Sequence, residues 1–160
     1  IIMSDIRIGF GYDFHKLIKG DTLKLAGVRI KSDYTVSAHS DGDIVLHALS
    51  DSIYGAIANG DIGTHFPSND KNLNISSSEI LSHAHKMLEE ANYCLSNVDI
   101  TIVLEEPRIQ GFIMEMRKNI SRLTSLEIER ISIKSSTSQK IGLIGNNQAI
   151  ACYSSILVKK

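Results

Sequence analysis

The sequence predicts an α/β (α+β) chain, a two-layer sandwich in which a mixed β-sheet carries helices mainly on one face. Three observations lead there. Apolar residues alternate with others over residues 6–12 and again over 98–104, the period of a strand. They recur at helical spacing over residues 80–91 and 109–123. The two kinds of segment alternate only loosely along 160 residues, without a strict βαβ rhythm.

In the first strand Ile6, Ile8, Phe10 and Tyr12 alternate with Arg7, Gly9 and Gly11, the pattern of a half-buried strand, and Asp13 and His15 continue its odd-numbered face. Residues 23–30, an extended stretch broken by Gly27, are expected to return as a hairpin partner of the first strand, and residues 37–42 read as a polar loop. Ser40 with Asp43 forms a Ser-x-x-Asp helix start, and residues 44–58 are apolar on nearly every side, so this helix is expected to be buried. Ser76 with Glu79 starts an amphipathic helix. The strand over 98–104 stops near Pro107, a third helix follows from Ile109, and residues 131–134 and 150–158 supply two more strands. Length and the absence of a linker or repeat suit one domain over residues 1–160, with residues 1–4 outside the fold.

Lysine and arginine number 17 against 18 acidic residues, a formal charge of -1, which excludes the basic excess that nucleic-acid binding demands. Cys94 and Cys152 lie in apolar stretches and are expected to be buried, reduced thiols. No run of about 18 apolar residues offers a membrane span. A soluble protein is expected.

The chemistry concentrates in two segments. Asp13 and His15, two apart on an extended chain, project to the same side and can grip one ion together. A third ligand is available from the segment 39–47, which ends in His47. Two imidazoles and a carboxylate suit zinc and leave its fourth tetrahedral position open, as a catalytic site requires. Asp43, His47 and Asp51 share one helical stripe, so either acid could orient His47. The same spacing also fits a surface Asp13/His15 pair and a hydrogen-bonded core histidine. Asp61-Ile62-Gly63, followed by Phe66-Pro67-Ser68-Asn69-Asp70, forms an acidic loop that could hold a polyol or simply turn the chain. Residues 135–140 combine four hydroxyls with Gln139 and Lys140, a composition able to hold phosphate oxygens.

Taken in order, these pieces resemble the 2-C-methyl-D-erythritol 2,4-cyclodiphosphate synthase family from about Arg7 onward. The carrying blocks are Arg7-Ile8-Gly9-Phe10-Gly11-Tyr12-Asp13-Phe14-His15, then Ala38-His39-Ser40-Asp41-Gly42-Asp43 through His47-Ala48-Leu49-Ser50-Asp51, then Gly60-Asp61-Ile62-Gly63. Asn97-Val98-Asp99, Glu106-Pro107-Arg108 and Ile133-Lys134 through Gly142 complete the series.

The resemblance implies a homotrimer with active sites between subunits. It implies a lyase that cyclises 4-diphosphocytidyl-2-C-methyl-D-erythritol 2-phosphate and releases CMP, in the non-mevalonate route to isoprenoids. Asp13, His15 and His47 would hold zinc; His39 and Thr137 would stabilise the transition state. Asp13, His15, His39 and Ser40 would also face substrate. Asp61, Ile62, Gly63, Phe66 and Asp70 would surround the methylerythritol unit. Leu104, Pro107, Arg108, Ile109 and Gln110 would line the cytidine pocket, and Ser136, Thr137, Ser138 and Gln139 would hold its phosphates. Magnesium or manganese would bridge the diphosphate.

Three positions depart from the family pattern. Gln139 stands where a glutamate usually helps hold the second ion, which implies weaker Mg²⁺ binding. Ser68 replaces a frequent aspartate. Asn146, with Gln148 close by, stands where many members place an arginine in the trimer cavity, so binding of isoprenoid phosphates there is not carried over. A catalytically impaired trimer that binds zinc and cytidine nucleotides is the alternative that Gln139 raises.

Overall fold

The computed structural model describes residues 5–38, 40–67 and 75–160. Five strands, β1 (Ile6–Lys19), β4 (Tyr34–Val36), β5 (Cys94–Val103), β6 (Ile131–Ser136) and β7 (Ala149–Lys159), form a sheet ordered β4-β1-β7-β5-β6. The β5/β6 pair is parallel and the other pairs antiparallel, so the sheet is mixed. Among the described residues, β2 (Thr22–Leu25) and β3 (Val28–Lys31) pair with each other and not with β1 as expected, because the chain turns back on itself through Ala26 and Gly27, both at positive φ.

Helix α1 (Ile44–Ala56) is the keel of the helical layer. Ten of its 13 residues are buried, because β1 and β7 cover one side and α3 (Ser77–Glu90) another. Asp43 is its N-cap, accepting from the Leu46 N–H, so the helix starts three residues later than a Ser40 cap would place it, and it ends at Ala56. Complete burial pushes the Asp43 carboxyl up to about 6, against the N–H groups of Gly27, Leu46 and Ala26 that favour its ionised form. In α3 the capping box of Ser76 and Glu79 stands as read, with Ile80, Leu81, Ala84 and Leu88 facing inward. The third helix, α4 (Ile113–Thr124), is preceded by a 3₁₀ turn at Gln110–Phe112.

The first strand reverses the expected sidedness. Its glycines, not its large apolar residues, face the helical layer: a Cβ on Gly9 would lie 1.8 Å from the Ser52 carbonyl oxygen and one on Gly11 1.8 Å from that of Ala48. Only glycine allows this backbone-to-backbone approach. Ile6, Ile8, Phe10, Tyr12 and Phe14 consequently stand on the opposite, uncovered face, joined there by Tyr153 of β7; Ile8 is 74% exposed. Tyr12 and Tyr153 pack ring to ring at 5.2 Å. Cys152 is buried, whereas Cys94, at the start of β5, is exposed; both are free thiols. No described helix is long and apolar enough to cross a membrane.

Candidate metal centre and adjoining cavity

The close approach of β1 to α1 brings three polar side chains together. Asp13 and His15 sit on the odd face of β1 beyond Gly11, and His47 projects from the first turn of α1. A set of ligand atoms, one from each, lies within 4.8 Å of one another. His15 Nε2 is 3.2 Å from Asp13 Oδ1, and His47 Nδ1 is 3.4 Å from Asp13 Oδ2.

Burial works to raise the Asp13 carboxyl, but the hydrogen bond and charge of His15 and the proximity of His47 outweigh it and hold the group down at about 2. The Asp13 partner in turn raises His15. Asp13 Oδ2 and His47 Nε2 are nevertheless buried without a hydrogen-bond partner among the described residues. Two unpartnered polar atoms in one half-buried triangle are costly unless a cation completes them. One carboxylate and two imidazoles are the ligand chemistry of zinc and related divalent ions.

The neighbouring acids do other work than expected. Asp43 is committed to the N–H groups of Ala26, Gly27 and Leu46 and does not orient His47. Asp51 accepts from the Ile62 N–H at 2.8 Å, tying the acidic loop to α1, and burial raises its carboxyl above the ordinary value. That loop contains a short helix, α2 (Ile62–His65), capped by Asp61, whose Oδ1 accepts from Thr64 N and Oγ1. Asp61 and Gly63 are exposed; Ile62 and Phe66 are half-buried, Phe66 against the His83 ring. Ser40 accepts from the Gly42 N–H. Asp41, beside it, accepts from Lys24 Nζ at 2.6 Å and from Ser77, pinning the 37–43 loop to β2 and α3. His39, Ser68 and Asp70 lie outside the described residues.

A second cluster forms where β5 and β6 end. Leu104, Pro107, Arg108, Ile109, Gln110, Ser136 and Thr137 line a cavity of about 240 Å³. The bond between Glu106 and Pro107 is cis. Ser138 and Gln139 follow Thr137 in the chain but are not among the lining residues; Gln139 Nε2 donates to Thr137 Oγ1 at 3.4 Å. This cavity shares no lining residue with the Asp13/His15/His47 triangle. The sequence reading gave no role of its own to Glu105, which lines the cavity and accepts from the Ser138 and Lys140 N–H groups. Partners 33 and 35 residues away leave no local spacing to betray it. It also missed the ring cluster of Tyr54, His65 and His83, where Tyr54 stacks on His65 at 4.3 Å and its hydroxyl meets His83 Nδ1 at 2.8 Å.

The sequence profile of the YgbB family matches residues 6–159. The chain belongs to the YgbB family. It is 46% identical over 156 residues to the 2-C-methyl-D-erythritol 2,4-cyclodiphosphate synthase of Brachyspira hyodysenteriae, covering 97% of this chain and 99% of that one. It is 44% identical over 158 residues to the bifunctional enzyme IspD/IspF of Wolbachia pipientis, covering 95% of this chain and 40% of that enzyme. Among solved structures, the IspF of Plasmodium falciparum in complex with CDP superposes with a TM-score of 0.86 at 41% identity, covering 96% of each chain. This YgbB-family chain therefore shares fold and length with cyclodiphosphate synthases, and one of those relatives holds a cytidine nucleotide.

Proposed function

We infer that this chain is a 2-C-methyl-D-erythritol 2,4-cyclodiphosphate synthase. The observation that carries the reading is the half-buried Asp13/His15/His47 triangle with its orphaned Asp13 Oδ2 and His47 Nε2 in a chain so close to named synthases. Its reaction is that of a phosphorus-oxygen lyase. A 2-phosphate oxygen of 4-diphosphocytidyl-2-C-methyl-D-erythritol 2-phosphate bonds to the β-phosphorus, the bond from that phosphorus to the CMP oxygen breaks, and CMP leaves with the electron pair.

The attacking oxygen is already ionised at neutral pH, so positioning and charge stabilisation are the protein's task and no general base is needed. Asp13, His15 and His47 would hold zinc, which supplies positive charge toward the phosphates. Thr137, exposed at the cavity rim, would hydrogen-bond the diphosphate, with His39 and Ser40 contributing from the 37–43 loop. Asp61, Ile62, Gly63, Phe66 and Asp70 would fix the methylerythritol unit. The cavity at residues 104–110 and 136–137, with Ser138 and Gln139 next in the chain, would take the cytidine and its phosphates, with Mg²⁺ or Mn²⁺ on the diphosphate.

Because the triangle and the cavity share no residue, the reading has them meet across a subunit boundary in a homotrimer. The uncovered apolar face of β1 and β7 supports such an assembly, since an isolated chain would leave Ile8, Phe10 and Tyr12 in water. Each subunit would be one domain over residues 1–160, working in the cytoplasm of a bacterium or in a plastid-type organelle of a eukaryote. The binding-only alternative rests on Gln139, whose neutral amide offers a divalent ion less than a carboxylate would.

The test is His47→Ala, assayed for bound zinc and for CMP release from the substrate. Loss of both together is expected; retained zinc would remove His47 from the ligand set.

A further inference from the structure

We propose that Glu105 is an internal counter-anion of the phosphate subsite, which makes binding of a nucleoside diphosphate depend on a divalent cation. The inference rests on the cytidine-nucleotide reading of the cavity and assigns a residue that reading leaves without a role. Leu104 N donates to Ser136 O at 3.0 Å, clamping the ends of β5 and β6, and Glu105 follows directly into the cavity. Its Oε2 accepts from Ser138 N at 3.3 Å and from Lys140 N at 3.4 Å. Gln139 and Lys140 both adopt left-handed backbone, at φ 56° and 60°, and the two N–H groups converge on one point.

Converging amides of this kind hold anions. Here the chain supplies its own anion, a carboxylate where a phosphate oxygen would otherwise bind. Among the described residues lining the cavity, Glu105 alone is acidic, and Gln139 brings no charge to the turn. A diphosphate entering without a cation must displace Glu105 from the amides or lie against a like charge, and either weakens binding. A divalent cation held between Glu105 and the phosphates reverses the sign of that interaction. Glu105 thereby supplies the anionic oxygen that Gln139 lacks, and selects the metal-complexed nucleotide over the free one. Cytidine, which carries no phosphate, is indifferent to the charge at 105.

The experiment is calorimetric titration of CDP and of cytidine into zinc-loaded wild type, Glu105→Gln and Glu105→Ala, in magnesium-free buffer and at millimolar Mg²⁺. Wild type is expected to bind CDP roughly tenfold more tightly with Mg²⁺. Both variants are expected to bind CDP more tightly than wild type without Mg²⁺ and to gain less than about twofold from adding it, with cytidine affinity unchanged throughout. Variants that bind CDP no better without Mg²⁺, or that keep the wild-type response to it, would overturn the role of Glu105 while leaving the nucleotide site standing. A wild type that binds neither ligand would bring down the functional reading and this inference together.

Discussion

A methyl group on Gly11 would lie 1.8 Å from the carbonyl oxygen of Ala48. Ala48 follows His47 in α1, and Gly11 precedes Asp13 by two on the same face of β1, so one backbone contact sets both the layer spacing and the gap between metal ligands. Gly11→Ala must push strand and helix apart. We expect a loss of at least about 3 kcal/mol of stability, the upper range for overpacking, together with loss of zinc. Urea unfolding with a zinc assay checks both; a variant within about 1 kcal/mol of wild type that still holds zinc would contradict the account.

Completion of the Asp13/His15/His47 triangle by an ion should show as stability. At zinc a thousandfold above its dissociation constant, linkage gives about 4 kcal/mol, a rise in Tm on the order of 10 °C for a chain of this size. Scanning calorimetry of the metal-free protein with and without zinc should show this shift in wild type and none in His47→Ala. An equal shift in both would place the ion elsewhere.

The Asp41 contacts predict an acid limb. Burial works to raise this carboxyl, but the hydrogen bonds from Lys24 and Ser77 and the charge of Lys24 bring it below its ordinary 3.8. A depressed folded value means that the contribution is present above the unfolded pKa and is lost as pH falls through the folded one. Wild type should therefore lose stability below about pH 4, and Asp41→Asn should flatten that limb. Unfolding free energies measured down the acid range decide it; parallel limbs for the two proteins would show that Asp41 carries no such linkage.

Much of this was legible in sequence, and the exceptions share a cause. The strand at residues 6–12, the buried α1, the capping box at Ser76 and the Asp13/His15 pair are written in local spacing, whereas His47 joined that pair through the family resemblance. Alternation reveals a strand but not which face is covered. At β1 the glycines take the inner face, because α1 comes too near for side chains, and that distance is a tertiary fact. Asp43 looked like a helical neighbour of His47, yet its oxygens answer amides 16 and 17 residues upstream as well as its own helix. Glu105 likewise serves a turn more than 30 residues away.

The bare apolar face of β1 predicts association. Phe10, 61% exposed beside Tyr153, lies in the middle of that face. Phe10→Asp should leave the fold intact, since the side chain stands on the exposed face, and convert the proposed trimer to monomer in sedimentation at micromolar concentration. A variant that remains trimeric would move the interface to another surface.

The most direct test of the central claim is phosphorus NMR of the zinc-loaded protein with 4-diphosphocytidyl-2-C-methyl-D-erythritol 2-phosphate and Mg²⁺. The account predicts resonances of CMP and of 2-C-methyl-D-erythritol 2,4-cyclodiphosphate growing together as substrate disappears. Bound substrate that persists unchanged at every Mg²⁺ concentration would contradict it and leave a protein that binds zinc and cytidine nucleotides without turning them over.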